Sequence, residues 1–138
     1  MTRERAPVAS TRHTWVLGRP NDDHEAWVAH CLDLDISAKG DTIWDALDAV
    51  EKAVSRAVRE DARRGRTPFD RPRASPAEWE RLWAIVRGGI LVTEEDLALG
   101  TRPFDVIATQ LAVDLSRAVR VQRASAALVP TESRQLTG

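Results

Sequence analysis

The sequence predicts an α+β fold: a small antiparallel sheet in the order β-β-β-α-…-β, with an additional C-terminal helix and a basic tail. Three observations lead there. Short apolar runs separated by turn-forming residues lie between Thr14 and Ala38, a long amphipathic helix follows at once from Thr42, and a second helix opens at Ser75-Pro76. Strands in succession, followed by helices, are the pattern of a sheet that buries one face under a helix.

The elements follow in order. Residues 1–13 hold Arg3, Arg5 and Arg12 without an apolar stretch, and are read as a flexible lead-in with no signal peptide. Thr14 to Gly18 is a strand of aromatic and β-branched residues, ended by the turn formers Arg19-Pro20-Asn21-Asp22-Asp23. Glu25 to Leu32 alternates Trp27, Ala29 and Cys31 with Val28, His30 and Leu32; apolar groups on both faces suit a central strand. In Leu34 to Ala38, Leu34, Ile36 and Ala38 alternate with Asp35 and Ser37, as in a half-buried third strand of an antiparallel meander.

Thr42 caps the next helix, with Asp45 and Asp48 near its positive end and Arg59, Arg63 and Arg64 near its negative end before Gly65. Ile43, Leu47, Val50 and Val54 recur at three- and four-residue spacing, one stripe able to lie on a sheet. Residues 14–65 therefore read as one βββα module, and 66–74, with Pro68 and Pro72, as a linker. Residues 75–115 read as an extension. Ser75-Pro76-Ala77-Glu78 has the form of a capping box, Trp79, Leu82, Trp83 and Val86 line one side of the helix, and Gly88-Gly89 ends it. Thr93 caps a short helix at most. Phe104 to Leu115 fits a strand through Ile107, Thr109, Leu111, Val113 and Leu115, and a helix through Phe104, Ile107, Leu111 and Leu115; periodicity does not choose, and the strand is preferred. Residues 116–138 read as a basic, partly disordered tail.

Composition narrows the function classes. With 138 residues and 43% hydrophobic content there is enough chain for one domain with a real core. Twenty basic against 21 acidic residues leave a net charge of -1, so nucleic-acid affinity would have to be local. A single cysteine excludes an internal disulfide framework, and no apolar stretch approaches the ~20 residues of a membrane span. A soluble, cytoplasmic protein is expected.

The run Trp27-Val28-Ala29-His30-Cys31-Leu32-Asp33-Leu34, the turn Ser37-Ala38-Lys39-Gly40-Asp41-Thr42, and Ala46-Leu47 opening the helix together resemble HicB-type antitoxins over roughly residues 15–65. Leu32 stands where that family usually has proline, and Asp35-Ile36 replaces its Pro-Gly, so the turn into the third strand is made differently here. The resemblance implies a HicB-like, partial RNase H-like fold whose task is to hold a HicA-type toxin, a small RNA-cleaving enzyme. Neither a ribbon-helix-helix nor a helix-turn-helix is found, so DNA binding has no motif to carry it.

A ribonuclease that grips phosphate presents a basic surface, and an inhibitor gains on-rate and specificity by opposing acidic groups to it. Asp33, Asp35, Asp41, Asp45 and Asp48, with His30 beside them, are the candidate partner-binding residues; turn, cap and dipole roles also explain Asp41, Asp45 and Asp48, and a solvated strand edge explains Asp33 and Asp35. Trp79 and Trp83 share a helical face and are the candidate oligomerisation residues of a homodimer. His30 and Cys31 are adjacent on a strand and point to opposite faces, which argues against a metal site or a Cys-His nucleophile. No catalytic residue, metal or cofactor is assigned. The expectation is a non-enzymatic protein-binding module; the alternative is a stand-alone adaptor or assembly subunit with no toxin partner.

Overall fold

A computed structural model describes residues 11–98, 105–115 and 120–130. Its centre is one antiparallel sheet of seven strands with helices on both faces. β1 (Thr11–Pro20), β2 (Trp27–Cys31) and β3 (Ile36–Gly40) form the expected meander, and α1 (Ile43–Arg63) follows. A 3-10 turn at Pro68–Asp70 leads to α2 (Pro76–Gly88), β4 (Gly89–Thr93), the short α3 (Glu94–Ala98), β5 (Ile107–Asp114), β6 (Arg120–Arg123) and β7 (Ala126–Pro130). The strand order is β3-β2-β1-β5-β7-β4, with β6 also paired to β5.

Strand alternation sorts the two faces. Val16, Ala29, Cys31, Ile107, Leu111, Val113, Ala127 and Val129 are buried beneath α1, which contributes Ile43, Ala46, Leu47, Val50, Val54 and Val58. Leu17, Leu32 and Ala108 face the other way, under Leu82 and Ile85 of α2. Around β2 the chain is apolar on both sides: Ala29 and Cys31 are buried under α1, and Leu32, just past the strand, is buried on the α2 side. Thr42 caps α1 as expected, its Oγ1 accepting from the Asp45 backbone N–H at 3.1 Å. Gly40 is required just ahead of that cap. A Cβ there would sit 2.4 Å from the Ala46 backbone nitrogen, so the helix entry crosses β3 closer than any side chain allows. The turn into β3 places Asp35 at φ 55, so an aspartate takes the left-handed position in place of a glycine.

Several boundaries differ from expectation. β1 starts at Thr11, inside the predicted lead-in, and β3 spans 36–40 instead of 34–38. The predicted linker is fastened to the fold. Arg71 donates to both carboxylate oxygens of Asp61 at 2.9 and 3.3 Å, Arg12 covers the Phe69 ring at 4.0 Å, and the Ala74 N–H donates to the Leu32 carbonyl at 2.9 Å. The 14–65 module and the 75–115 extension share one sheet, since β1 pairs with β2 on one side and with all of β5 on the other. The strand reading of 107–114 holds because both faces of β5 are covered. In the predicted tail, residues 120–130 form β6 and β7. A paired β7 buries Ala127 and Val129 and supplies β4 with its neighbour. No helix among the described residues is long and apolar enough to cross a membrane.

Candidate functional site

The α2 face of the sheet holds most of the chemistry that α1 leaves unused. α2 begins at Ser75-Pro76, where proline suits the first turn because its missing N–H has no intrahelical partner. The predicted capping box does not form: Ser75 makes no side-chain cap bond, and Glu78 turns to the sheet instead. Its Oε1 lies 3.5 Å from His30 Nδ1 and 3.7 Å from Arg19 Nη2, while His30 Nε2 meets Asp35 Oδ1 at 2.7 Å. His30 thus ties α2 to the β2–β3 turn. Cys31, the next residue, is buried on the opposite face, where burial pushes its thiol from the ordinary 9.0 up to about 11. The two side chains share no site.

α2 covers only part of its face. Trp79 and Trp83 stack with centroids 5.8 Å apart, and Trp83 meets Trp15 of β1 edge-on at 5.9 Å. Arg73 lies over the Trp79 ring at 4.3 Å. The two helix tryptophans therefore pack on the sheet, but Trp83 remains 38% exposed. Trp15 carries the apolar surface onward into a shallow depression shared with Leu91, Ala108, Gln110, Ala126 and Leu128. Leu91, 67% exposed, is the most exposed large hydrophobic residue among those described.

Leu91 also lies on the sheet edge. β4 pairs only with β7 among the described strands, and Gly89-Ile90-Leu91-Val92-Thr93 contains no charged residue. Open edges are commonly protected by lysine, proline or a bulge, because unpaired backbone groups invite a further strand. At the opposite edge, β3 has Lys39 exposed. Among the described residues β4 has no such guard.

The aspartates do not form one patch. Asp33 accepts from the Trp15 backbone N–H at 2.7 Å, and Asp35 is engaged by His30 at the β2–β3 turn. Asp41 and Asp45 lie at the other end of β3, exposed around the α1 cap. Asp48 pairs with Arg123 of β6, whose second guanidinium nitrogen holds Glu94 at 2.9 Å. The carboxylates of Asp33, Asp35 and Asp48 are thus engaged within the fold, whereas Asp45 takes part in the cap through its backbone N–H, and the described structure separates the five into a pair around the β2–β3 turn, an exposed pair at the α1 cap and a cross-link.

The chain has no match among known protein families, curated proteins or solved structures. Function must be argued from the surface itself. Leu91 and the β4 edge were missed in the sequence because Gly88-Gly89 and Thr93-Glu94 punctuate a run of only five residues. The usable signal was Ile90-Leu91-Val92, three apolar residues, two of them β-branched, between a helix stop and a cap.

Proposed function

We propose that the chain is a non-catalytic protein-binding module of the antitoxin type, HicB-like and partly RNase H-like in fold, which sequesters a small basic ribonuclease in the cytoplasm. The observation that carries this reading is the uncharged β4 edge beside Leu91 and Trp83. An extended segment of the partner pairs with β4 through the backbone, and its apolar side chains cover Leu91 and the Trp15–Trp83 corner. Covering a large aliphatic side chain contributes about 1.5–3 kcal/mol, and an exposed tryptophan is a frequent anchor. Asp41 and Asp45, exposed at the cap of α1, add the negative charge that speeds encounter with a basic partner. The ordered βββα start and its Gly40-Asp41-Thr42 helix entry agree with the HicB resemblance.

Affinity capture of the tagged protein from its native host tests the reading. Recovery of an equimolar small basic protein, with ribonuclease activity that appears only after the two are separated, is the expected result; a captured partner without ribonuclease activity refutes the antitoxin assignment. The same β4 edge favours a second reading, a stand-alone adaptor that assembles with itself, because a short uncharged strand is able to pair antiparallel with its own copy. On that reading the purified chain has twice the one-chain mass at micromolar concentration, and Leu91→Lys restores the single mass.

A further inference from the structure

The solvent side of α1 carries a separate feature, independent of the β4 edge. Lys52, Arg56, Arg59 and Arg63 recur at intervals of four, three and four residues, all exposed. With 1.5 Å of rise per residue, the row runs for about 16 Å along the helix. Arg64 and Arg66, also exposed, continue it past the C-terminus. Two acids, Glu60 and Asp61, lie among these residues. Asp61 is buried and held by Arg71, with Arg66 Nε 3.7 Å away, and Glu60, held between Arg63 and Arg64, is one of the residues that line the shallow depression along the row. Among the described residues Lys52 and Arg56 have no carboxylate partner.

Helix stability does not call for this arrangement. The macrodipole rewards cations only within the last turn, which accounts for Arg63 and Arg64 but not for Lys52 or Arg56. Like charges at three- and four-residue spacing weaken a helix, and the row contains three such neighbours. A chain whose net charge is -1 nevertheless concentrates six cations between residues 52 and 66. Three of the four in the row are arginines, whose planar fork matches phosphate in two-point contact. No aromatic side chain stands among them to stack on a base, so the contact is with a duplex backbone and not with unpaired bases.

From this row we infer that the outer face of α1 binds the phosphate backbone of a nucleic-acid duplex without reading its sequence. Four to five phosphates are neutralised, so the logarithm of affinity falls with the logarithm of salt at a slope of about -4, a loss of roughly 200-fold between 50 and 200 mM.

The test is fluorescence anisotropy with labelled 20-base-pair DNA and RNA duplexes of arbitrary sequence, using the full chain over that salt range. Saturable binding to either duplex with the stated slope is expected, and the preferred duplex identifies the natural source of the phosphates. Lys52→Gln/Arg56→Gln should lower the slope by about 2 and weaken binding at least 10-fold at 50 mM salt, with unchanged circular dichroism showing that the fold is kept. Absence of duplex binding at 50 mM salt, an unchanged slope in the double variant, or tighter binding of polyglutamate than of either duplex would overturn the inference.

Discussion

Arg71→Ala should weaken the fold well beyond the effect of an ordinary surface substitution, although Arg71 lies in a proline-containing stretch without helix or strand. Its guanidinium donates twice to Asp61, whose side chain is only 6% exposed, whereas that of Arg71 is 34% exposed. Losing the arginine leaves a buried carboxylate, for which the full penalty is about 3–5 kcal/mol. Arg66, with Nε 3.7 Å from Asp61 Oδ1, takes up part of the deficit and leaves a net cost of about 2–3 kcal/mol. The reverse change is milder. Asp61→Asn leaves an arginine that is one-third exposed and able to hydrate, at a cost of about 1 kcal/mol. Urea unfolding monitored by tryptophan fluorescence reads both. At an m-value of about 1.5 kcal/mol/M, the midpoint falls by about 1.3–2 M for Arg71→Ala and by less than 1 M for Asp61→Asn. Equal losses, or a loss below about 0.5 kcal/mol for Arg71→Ala, would refute the claim that residues 66–74 are locked to α1 through a buried charge.

Gly40→Ala should cost at least about 2 kcal/mol, because the new methyl meets the Ala46 nitrogen and the Asp45 carbonyl carbon, and backbone has to move. Gly88→Ala, where nothing lies within 4 Å, should leave stability unchanged or raise it by up to about 1 kcal/mol; thermal melts of the two variants check the contrast. Cys31 should resist thiol reagents at neutral pH until the chain is unfolded. Its folded thiol keeps its proton up to about 11 while the ordinary value is 9.0, so the associated stability is complete below pH 9 and declines as pH rises through 11. The loss is of the order of 2–3 kcal/mol, and comparison of urea midpoints at pH 8 and pH 11 should show it absent in Cys31→Ala.

Much of the fold was legible where local rules act alone. α1 could be read end to end, because its cap, its apolar spacing and its terminal charges all agree within one segment. The meander was legible from alternation and turn residues. Other features depend on distant partners. β1 finds its second neighbour in β5, with Thr14 beside Leu111, and nothing near either strand states that pairing. β6 and β7 contain arginine, alanine and proline in a run that resembles a tail until β5 and β4 provide neighbours. The fastening of the predicted linker depends on one buried aspartate facing inward from a helix whose other aspartates face solvent.

Of the site, His30 is legible as a contact residue, but Glu78, whose carboxylate approaches it from α2, reads in the sequence as a capping residue. Trp79 and Trp83 are legible as a pair; the edge-on contact of Trp83 with Trp15, with Trp79 and Trp15 half-buried and Trp83 exposed, depends on the sheet. Leu91 was invisible because exposure at a strand edge is a property of the neighbours, not of the run that contains it.

The protein-binding claim is tested most directly by quantitative affinity capture from the native host with wild-type protein and Leu91→Lys in parallel. Leu91 is 67% exposed, so the substitution leaves the core intact while placing a charge on the β4 edge that opposes both strand pairing and a basic partner. The wild type should retain an equimolar small basic ribonuclease, and the variant should lose it at least 10-fold. Equal recovery of the same partner by both proteins would contradict the assignment of the β4 edge as the binding surface.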